Sequence, residues 1–162
     1  MTTFHLFEGL AKPQINQVIE AGVIRPLPKG KMVFHKGERG REMFLILKGK
    51  ISVVDELGDH QSVMAELGTG EILGEMAIFE EEHTRSAHAI VNEPSQVLVL
   101  SEETIKELYA NNKMPKRLLV NIITALCRRV RITNGMYMSA KYGIKQETPS
   151  NSGTPSGKVS PN

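Results

Sequence analysis

Residues 23–100 alternate short β-rich runs with glycines, and this pattern constrains the fold more than any other feature of the sequence. Runs such as MFLIL at residues 43–47 and QVLVL at residues 96–100 are rich in residues that favour strands. The glycines that separate the runs are Gly30, Gly37, Gly40, Gly49, Gly58, Gly68, Gly70 and Gly74. Many short strands with turn residues at a spacing of about 8–12 predict a β-sandwich or barrel rather than a βαβ fold. The ELGD sequence at residues 56–59, between two of the runs, predicts a hairpin turn.

Helical spacing flanks this β-rich segment on both sides. Apolar residues recur at helical spacing over residues 4–22, with Pro13 placed where one short helix ends and the next begins. Ser101 is a suitable N-cap for a further helix, and a longer helix is predicted to start near Pro115 and to run to about residue 140. The chain is therefore predicted to be mainly β with flanking helices.

The predicted C-terminal helix carries an apolar stripe whose steps are close to a heptad repeat. Its members are Leu119, Ile122, Leu126, Val130, Thr133 and Tyr137. Such a narrow stripe packs either on its own domain or against the same helix of a second copy of the chain. The spacing leaves both arrangements open, so a homodimer through this helix is one of the two.

Size and composition predict one intracellular domain followed by a tail. The 162 residues correspond to about one domain, and the single cysteine, Cys127, excludes an internal disulfide framework. No apolar run reaches the ~18–20 residues of a membrane span, and no signal peptide is evident, so a cytoplasmic location without membrane association is expected. The net charge of +2 is too small to argue for nucleic acid or anionic lipid. Residues 143–162 are rich in Ser, Pro and Gly and are predicted to be a disordered polar tail, which leaves residues 1–142 as the domain.

The segment that carries chemistry is the run over residues 70–87. A strand-like run leads into Gly74, and the residues from Glu75 onward are predicted to form a single helical turn. A glycine at this junction lets an anionic group approach the backbone, whose free N–H groups point at it. Ten positions after Glu75, Arg85 supplies a planar fork for a phosphate and Ser86 supplies a hydroxyl donor. Because a carboxylate cannot favour a phosphate, Glu75 is predicted to accept a hydrogen bond from a sugar hydroxyl beside it, which indicates a nucleotide.

These residues resemble the phosphate-binding cassette of the cyclic nucleotide-binding domain family, in which Gly-Glu-x-Ala and Arg-Ser-Ala are separated by this interval. Upstream, the glycine spacing over residues 30–37 and the FxIxxGxI pattern over residues 44–51 are similar to the early strands and turns of that family. Downstream, residues 128–134 (RRVRITN) resemble the long C-terminal helix of bacterial cyclic AMP receptor proteins. The resemblance covers about residues 5–140. It implies a double-stranded β-helix (jelly roll) with N-terminal helices and a long C-terminal helix.

The resemblance also implies a role for each matching residue of the cassette. Glu75 would bond the ribose 2′-hydroxyl, and Arg85 would neutralise the cyclic phosphate. Backbone N–H groups near Met76 and Ala77 would contact phosphate oxygens, and Ser86 would donate to the phosphate or the purine.

Four further positions are implied to contact the purine. Val63 and Met64 fall where family members pack the base, and Thr133 and Asn134 fall where bacterial relatives carry a polar pair that meets the purine edge. Asn134 stands where serine is commoner, which bears on the base preference rather than on binding. The ligand is expected to be cAMP rather than cGMP, although the hydroxyl of Ser86 could also serve the guanine amino group.

The sequence thus predicts a stand-alone regulatory binding module that is not an enzyme and needs no cofactor. No nucleophilic Ser or Cys is paired with a nearby His and acid. Direct DNA binding is not expected, because only a short polar tail follows Gly143. The output would pass to an unknown downstream protein partner or to a homodimer.

Two other classes of protein fit these residues less well. A ligand-free jelly-roll interaction domain that has lost nucleotide binding is disfavoured by the intact Glu75 and Arg85 pair. A metal-dependent jelly-roll enzyme of cupin type needs clustered histidines, whereas His5, His35, His60, His83 and His88 are dispersed. The basic cluster of Lys29, Lys31, Lys36, Arg39 and Arg41 is predicted to be a solvated turn surface.

Overall fold

The computed structural model describes residues 4–57, 60–111 and 113–142. After a 3₁₀ turn at His5–Phe7, the helices are α1 (Lys12–Ala21), α2 (Met76–Phe79), α3 (Glu102–Ala110) and α4 (Lys116–Tyr142). The strands are β1 (Val23–Leu27), β2 (Met32–Phe34), β3 (Glu42–Leu57), β4 (His60–Leu67), β5 (Ile72–Leu73) and β6 (His88–Ser101). Among the described residues, no helix has both the length and the apolar character needed to cross a bilayer.

The chain divides into two units, of which the first ends at Arg129 and the second begins at Val130. All strands and helices α1 to α3 belong to the first unit, together with the first half of α4. The prediction of a single domain over residues 1–142 stays a prediction. The predicted turn at Gly58 and Asp59 and the predicted tail, residues 143–162, lie outside the described residues.

All strand pairs are antiparallel and are organised around the two long strands β3 and β6. Strands β1 and β2 pair with successive parts of β6, while β4 and β5 pair with successive parts of β3. Between the two parts, the register of β3 against β6 shifts three times over residues 46–51, where Gly49 adopts a φ of +100°. The predicted fold, mainly β with N-terminal helices and a long C-terminal helix, is confirmed.

The apolar run of β3 is buried on both faces, which explains why it shows no polar alternation. Met43 and Leu45 belong to a core shared with the helices, which also contains Val18 of α1 and Ile122 of α4. The intervening Phe44, with Ile46, belongs to a second core between the strands. Strand β3 is therefore packed on both faces.

The predicted helix boundaries are confirmed where local signals set them. Ser101 caps α3, and its Oγ accepts a hydrogen bond from the backbone N–H of Thr104 at 3.0 Å. Pro13 lies in the first turn of α1, Gly22 directly follows the end of that helix, and α4 begins directly after Pro115.

The apolar stripe predicted for the long helix packs on the domain at Ile122 and Leu126, and its pairing with a second copy of the chain stays a prediction. Leu118 and Ile122 are each 2% exposed and pack in the core that β3 shares with the helices. Leu119 of the predicted stripe is 37% exposed. Asn121 lies beside the packed line, and its Nδ2 donates to the carbonyls of Leu6 and Glu8 at 2.8 and 2.9 Å. The register of the first half of α4 is thus set by Leu118 and by this polar anchor to the N-terminal segment.

Candidate functional site

The predicted cassette begins at a glycine that the geometry requires. Gly74 follows β5 directly and adopts a φ of +75°, a conformation that residues with a Cβ rarely adopt. A Cβ at this position would also overlap Nη1 of Arg85. Gly74 therefore allows both the turn into α2 and the close approach of the arginine.

Arg85 is buried beneath this turn, with only 4% of its surface exposed. Its Nη1 donates to the carbonyl of Gly74 at 2.8 Å, and its guanidinium carbon lies 4.4 Å from the centroid of the Phe34 ring. A Cβ at Gly40 would overlap the guanidinium, so Gly40 provides the space that it fills. The backbone of Arg85 bonds to Gly37 and Glu38, each at 2.9 Å, which fixes the strand-like segment that carries the side chain.

Burial lowers the pKa of Arg85, while the carboxylates of Glu38, Glu42 and Glu75 act in the opposite direction. An arginine starts from a pKa far above neutrality and remains protonated in proteins. The site therefore holds a desolvated positive charge.

Glu75 precedes α2 and is fully buried. Its Oε1 accepts a hydrogen bond from Nη1 of Arg129 at 2.6 Å, and the second terminal nitrogen of Arg129 donates to the carbonyl of Ile72. Burial raises the pKa of Glu75, and the guanidinium of Arg129 is the strongest of the opposing influences, with a weaker one from Arg85. Arg129 is therefore the neighbour that most favours the ionised form of this carboxyl, against the effect of burial.

Among the described residues, two buried side-chain nitrogen or oxygen atoms have no hydrogen-bond partner, and they belong to Glu75 and Arg85. These atoms are Oε2 of Glu75, an acceptor, and Nε of Arg85, a donor. Buried polar groups in native proteins are otherwise paired, and an unmet group costs free energy. The two atoms without a partner belong to Glu75 and Arg85, the two residues that the sequence analysis assigned to the ligand.

The other predicted cassette residues surround this pair with mixed exposure. Ala77 is 2% exposed and Met76 is 38% exposed, and the exposed Ser86 hydroxyl lies 3.9 Å from the Met76 sulfur. Val63 and Met64 lie on β4 next to the register shift against β3, and Val63 is 56% exposed. Their predicted contacts with the base stay predictions, and Val63 offers apolar surface that is not packed by the protein.

Thr133 and Asn134 lie on α4 within the second unit, so their predicted contact with the purine also stays a prediction. The residue of α4 that does contact the cassette is Arg129, which the sequence did not single out for this role. The local sequence of α4 carries no signal that distinguishes Arg129 from its neighbours Arg128 and Arg131.

The remaining sequence predictions concern the basic cluster and metal binding. The five basic residues between Lys29 and Arg41 are all exposed, as predicted, and Lys36 pairs with Asp55 at 2.7 Å. In the part of the chain that the structure describes, no group of three or more His, Cys, Asp or Glu side chains is placed to hold a metal ion.

Comparison with known proteins gives matches to one family. The model of the cyclic nucleotide-binding domain matches residues 24–112. The chain is 32% identical over 127 residues to the cyclic AMP receptor protein of Thermus thermophilus. The aligned segment covers 78% of this chain and 57% of that relative.

Solved structures show the same fold. The crystal structure of the Thermus thermophilus catabolite activator protein matches with a TM-score of 0.72 and 29% identity over 85% of this chain and 63% of that chain. A cyclic nucleotide-binding domain from Methylobacillus flagellatus matches with a TM-score of 0.69 and 19% identity over 86% of this chain and 97% of that chain. The jelly-roll class is confirmed, and the chain spans less than two thirds of the length of the two Thermus proteins.

Proposed function

The chain belongs to the cyclic nucleotide-binding domain family, and from this premise we propose that it binds a cyclic purine nucleotide between Glu75 and Arg85 and acts as a regulatory module without catalysis. The observation that carries the proposal is the pair of buried atoms without partners, Oε2 of Glu75 and Nε of Arg85. A ribose hydroxyl next to a cyclic phosphate supplies the donor and the anion that these two side chains need.

Each cassette residue has a distinct task in this proposal. The guanidinium of Arg85 neutralises the cyclic phosphate, whose oxygens also accept from the backbone N–H groups of Met76 and Ala77 and from the hydroxyl of Ser86. The carboxylate of Glu75 keeps Arg129 on Oε1 and accepts the ribose 2′-hydroxyl on Oε2, so no existing bond of that carboxylate has to break.

The purine is proposed to cover apolar surface on β4 and to meet the long helix. Val63 is 56% exposed, and burial of such a side chain by a base is favourable. Thr133 and Asn134 supply polar groups for the purine edge. The preference for cAMP over cGMP is supported by the Thermus relative, a cyclic AMP receptor protein.

A calorimetric titration tests the proposal directly. We expect one cyclic nucleotide to bind per chain, with cAMP displacing cGMP in competition. The absence of binding heat for both nucleotides, at more than one temperature and with a protein that unfolds cooperatively, would exclude nucleotide binding and favour a ligand-free interaction domain. Tighter binding of cGMP would reverse only the base preference.

The role of Glu75 predicts a specific response to removal of the ribose hydroxyl. A hydrogen bond to a charged group contributes about 1.5–3 kcal/mol, so 2′-deoxy-cAMP should bind roughly tenfold or more weakly than cAMP. In Glu75→Gln, the two ligands should differ much less, because the charge that strengthens the bond is gone. Equal discrimination by both proteins, measured by calorimetry, would place the hydroxyl elsewhere.

Coupling to the output is proposed to run through α4. Its second half exposes a set of large apolar side chains, namely Val130, Ile132, Met136, Tyr137, Met138 and Tyr142. Such a surface suits pairing with the same helix of a second copy of the chain. Ligand that changes the position of α4 would then change the dimer. Sedimentation of the titration samples measures the size of the oligomer. An identical oligomer size and helix position with and without saturating ligand would exclude the switch.

A further inference from the structure

A cavity of about 370 Å³ lies beside Arg85 and is lined by residues of β1, β2, β3 and the segment 38–41. Of the described residues that the proposed function places at the nucleotide, Arg85 alone lines this cavity. Sites for small molecules have volumes of about 300–1,000 Å³. The cavity is therefore large enough to hold a ligand of its own.

The guanidinium of Arg85 borders both the cassette turn and this cavity. Its Nη1 donates to the carbonyl of Gly74 at 2.8 Å. A Cβ on Gly40, which lines the cavity, would overlap Nε and Nη2, so these two nitrogens lie against Gly40. Nε is buried and has no hydrogen-bond partner. One side chain thus connects the two places through different atoms.

Positive charge is concentrated around the cavity. Five of its lining residues are basic and two are acidic, an excess of three charges, whereas the whole chain has a net charge of +2. The basic residues are Arg25, Lys31, Arg39, Arg41 and Arg85. The acidic residues are Glu38 and Glu42, whose charges partly compensate that of Arg85. Because a cleft lined mainly by charges of one sign attracts ions of the opposite sign, this cavity favours an anion.

Lys31 and Arg39 carry the charges that the protein itself leaves unpaired. Both residues are exposed, and within the described parts of the chain neither forms an ion pair. The other exposed arginines of the cavity are paired, since Arg25 lies 3.7 Å from the carboxylate of Glu42 and Arg41 lies 3.2 Å from the carboxylate at the start of α3. An anionic group bound here would therefore gain two counter-charges without breaking an ion pair of the protein.

Part of the cavity wall is apolar. Leu27, Phe34 and Phe44 line it and are buried, and the half-buried Val33 lines it as well. Contact with such side chains removes apolar surface of a ligand from water, which is favourable. A ligand with an apolar body in addition to its charge is therefore better matched to this cavity than an inorganic ion.

We propose that this cavity binds a small organic anion, whose charged group pairs with Lys31 and Arg39 and whose apolar body contacts the apolar wall. The site is additional to that of the nucleotide and does not depend on the proposed function. Its coupling to the nucleotide does rest on that function. Because both sites border the guanidinium of Arg85, two anions bound at once repel each other, and each weakens the binding of the other by the same factor.

Benzoate tests the proposal on the full chain, because it joins one carboxylate to an apolar ring. Titration followed by nuclear magnetic resonance should give saturable shifts in the amides of residues 25–34 and 38–44. Acetate lacks the apolar body and benzylammonium has the opposite charge, so each should bind at least about tenfold more weakly than benzoate. Equal affinity for benzylammonium would overturn the proposal, because the positive charges would then contribute nothing.

Reversal of charge identifies the residues that hold the anion. Lys31→Glu combined with Arg39→Glu should weaken benzoate binding by at least about fivefold, because two attractions become repulsions. Lys29→Glu combined with Lys48→Glu is the matched control, since both lysines are exposed, neither lines the cavity, and the net charge changes equally. The control should keep the wild-type affinity at constant salt. Equal affinities in the two double variants, both with cooperative unfolding, would overturn the proposal.

Titration with cAMP in the presence of benzoate separates the two sites. The affinity for cAMP should fall and then level off once benzoate saturates the cavity, because both ligands bind at once. A fall that continues in proportion to the benzoate concentration would place benzoate in the nucleotide site and overturn the proposal. An unchanged affinity would overturn the coupling through Arg85. If the chain bound no cyclic nucleotide, the proposed function would fail, whereas benzoate binding that is lost on reversal of Lys31 and Arg39 would still establish the cavity site.

Discussion

Replacing Arg85 with alanine is expected to weaken cyclic nucleotide binding by roughly 30-fold or more. Arg85 is 4% exposed, so the phosphate would lose its counter-charge in a setting that water screens poorly. Truncating one member of a desolvated charged pair costs on the order of 2–5 kcal/mol, and 1.4 kcal/mol corresponds to a factor of ten. The measurement is a calorimetric titration with cAMP at constant salt, on a variant whose thermal unfolding remains cooperative.

Gly40→Ala tests the same side chain without removing its charge. A Cβ at Gly40 would overlap the guanidinium, and its φ lies outside the left-handed region, so the arginine rather than the backbone has to move. Displacement of the guanidinium from Gly74 and Phe34 should reduce the affinity for cAMP. The reduction should be smaller than in Arg85→Ala. Gly68→Ala is the control, because the nearest atom to its new Cβ would be 4.0 Å away. Wild-type affinity in a folded Arg85→Ala variant would remove Arg85 from the binding site.

The sequence predicted those parts of the fold that depend on neighbouring residues. The strand at residues 43–47 is apolar on both faces because its alternate side chains enter two different cores. The cap at Ser101 and the helix start after Pro115 are set within a single turn. The spacing of the cassette could also be recognised in the sequence, because Gly74, Glu75 and Arg85 lie in one continuous segment.

What the sequence could not give was the identity of contacts between distant segments. Arg129 is 54 positions from Glu75, and nothing in the local pattern of α4 shows which of its three neighbouring arginines reaches the cassette. The stacking of Arg85 on Phe34 and the space left by Gly40 likewise depend on how the strands fold over one another. The burial of Leu118, which is not a member of the predicted stripe, has the same cause, because it depends on the surface on which the helix packs.

Removing the Arg129 side chain is expected to lower the free energy of unfolding by about 3 kcal/mol at neutral pH. Breaking a buried ion pair from one side costs about 3–5 kcal/mol, because the remaining charge is left without compensation. The lower value applies here because the Arg129 side chain is 24% exposed, although that of Glu75 is 1% exposed. Urea denaturation of Arg129→Ala measures the loss, and Arg128→Ala, which removes the exposed neighbouring arginine, is the matched control.

The loss of stability in Arg129→Ala should depend on pH, and the burial of Glu75 sets the direction of that dependence. Burial already raises the pKa of Glu75 above its ordinary value of 4.5, and removal of Arg129 takes away the strongest opposing influence. A carboxyl whose pKa is raised on folding contributes favourably below its unfolded value, and that contribution is lost as pH rises through the folded value. The deficit of Arg129→Ala should therefore be largest at neutral pH and should shrink as the pH falls toward about 4.5.

Adding Glu75→Gln to Arg129→Ala should recover much of the lost stability at neutral pH, because the double variant buries no unpaired charge. A deficit that is independent of pH and is not recovered by the glutamine would mean that Arg129 acts by packing alone. Recovery would instead establish that a charge pair ties α4 to the residue that precedes α2. On the proposed function, such a tie would let a ligand bound at Oε2 of Glu75 act on α4 through Arg129.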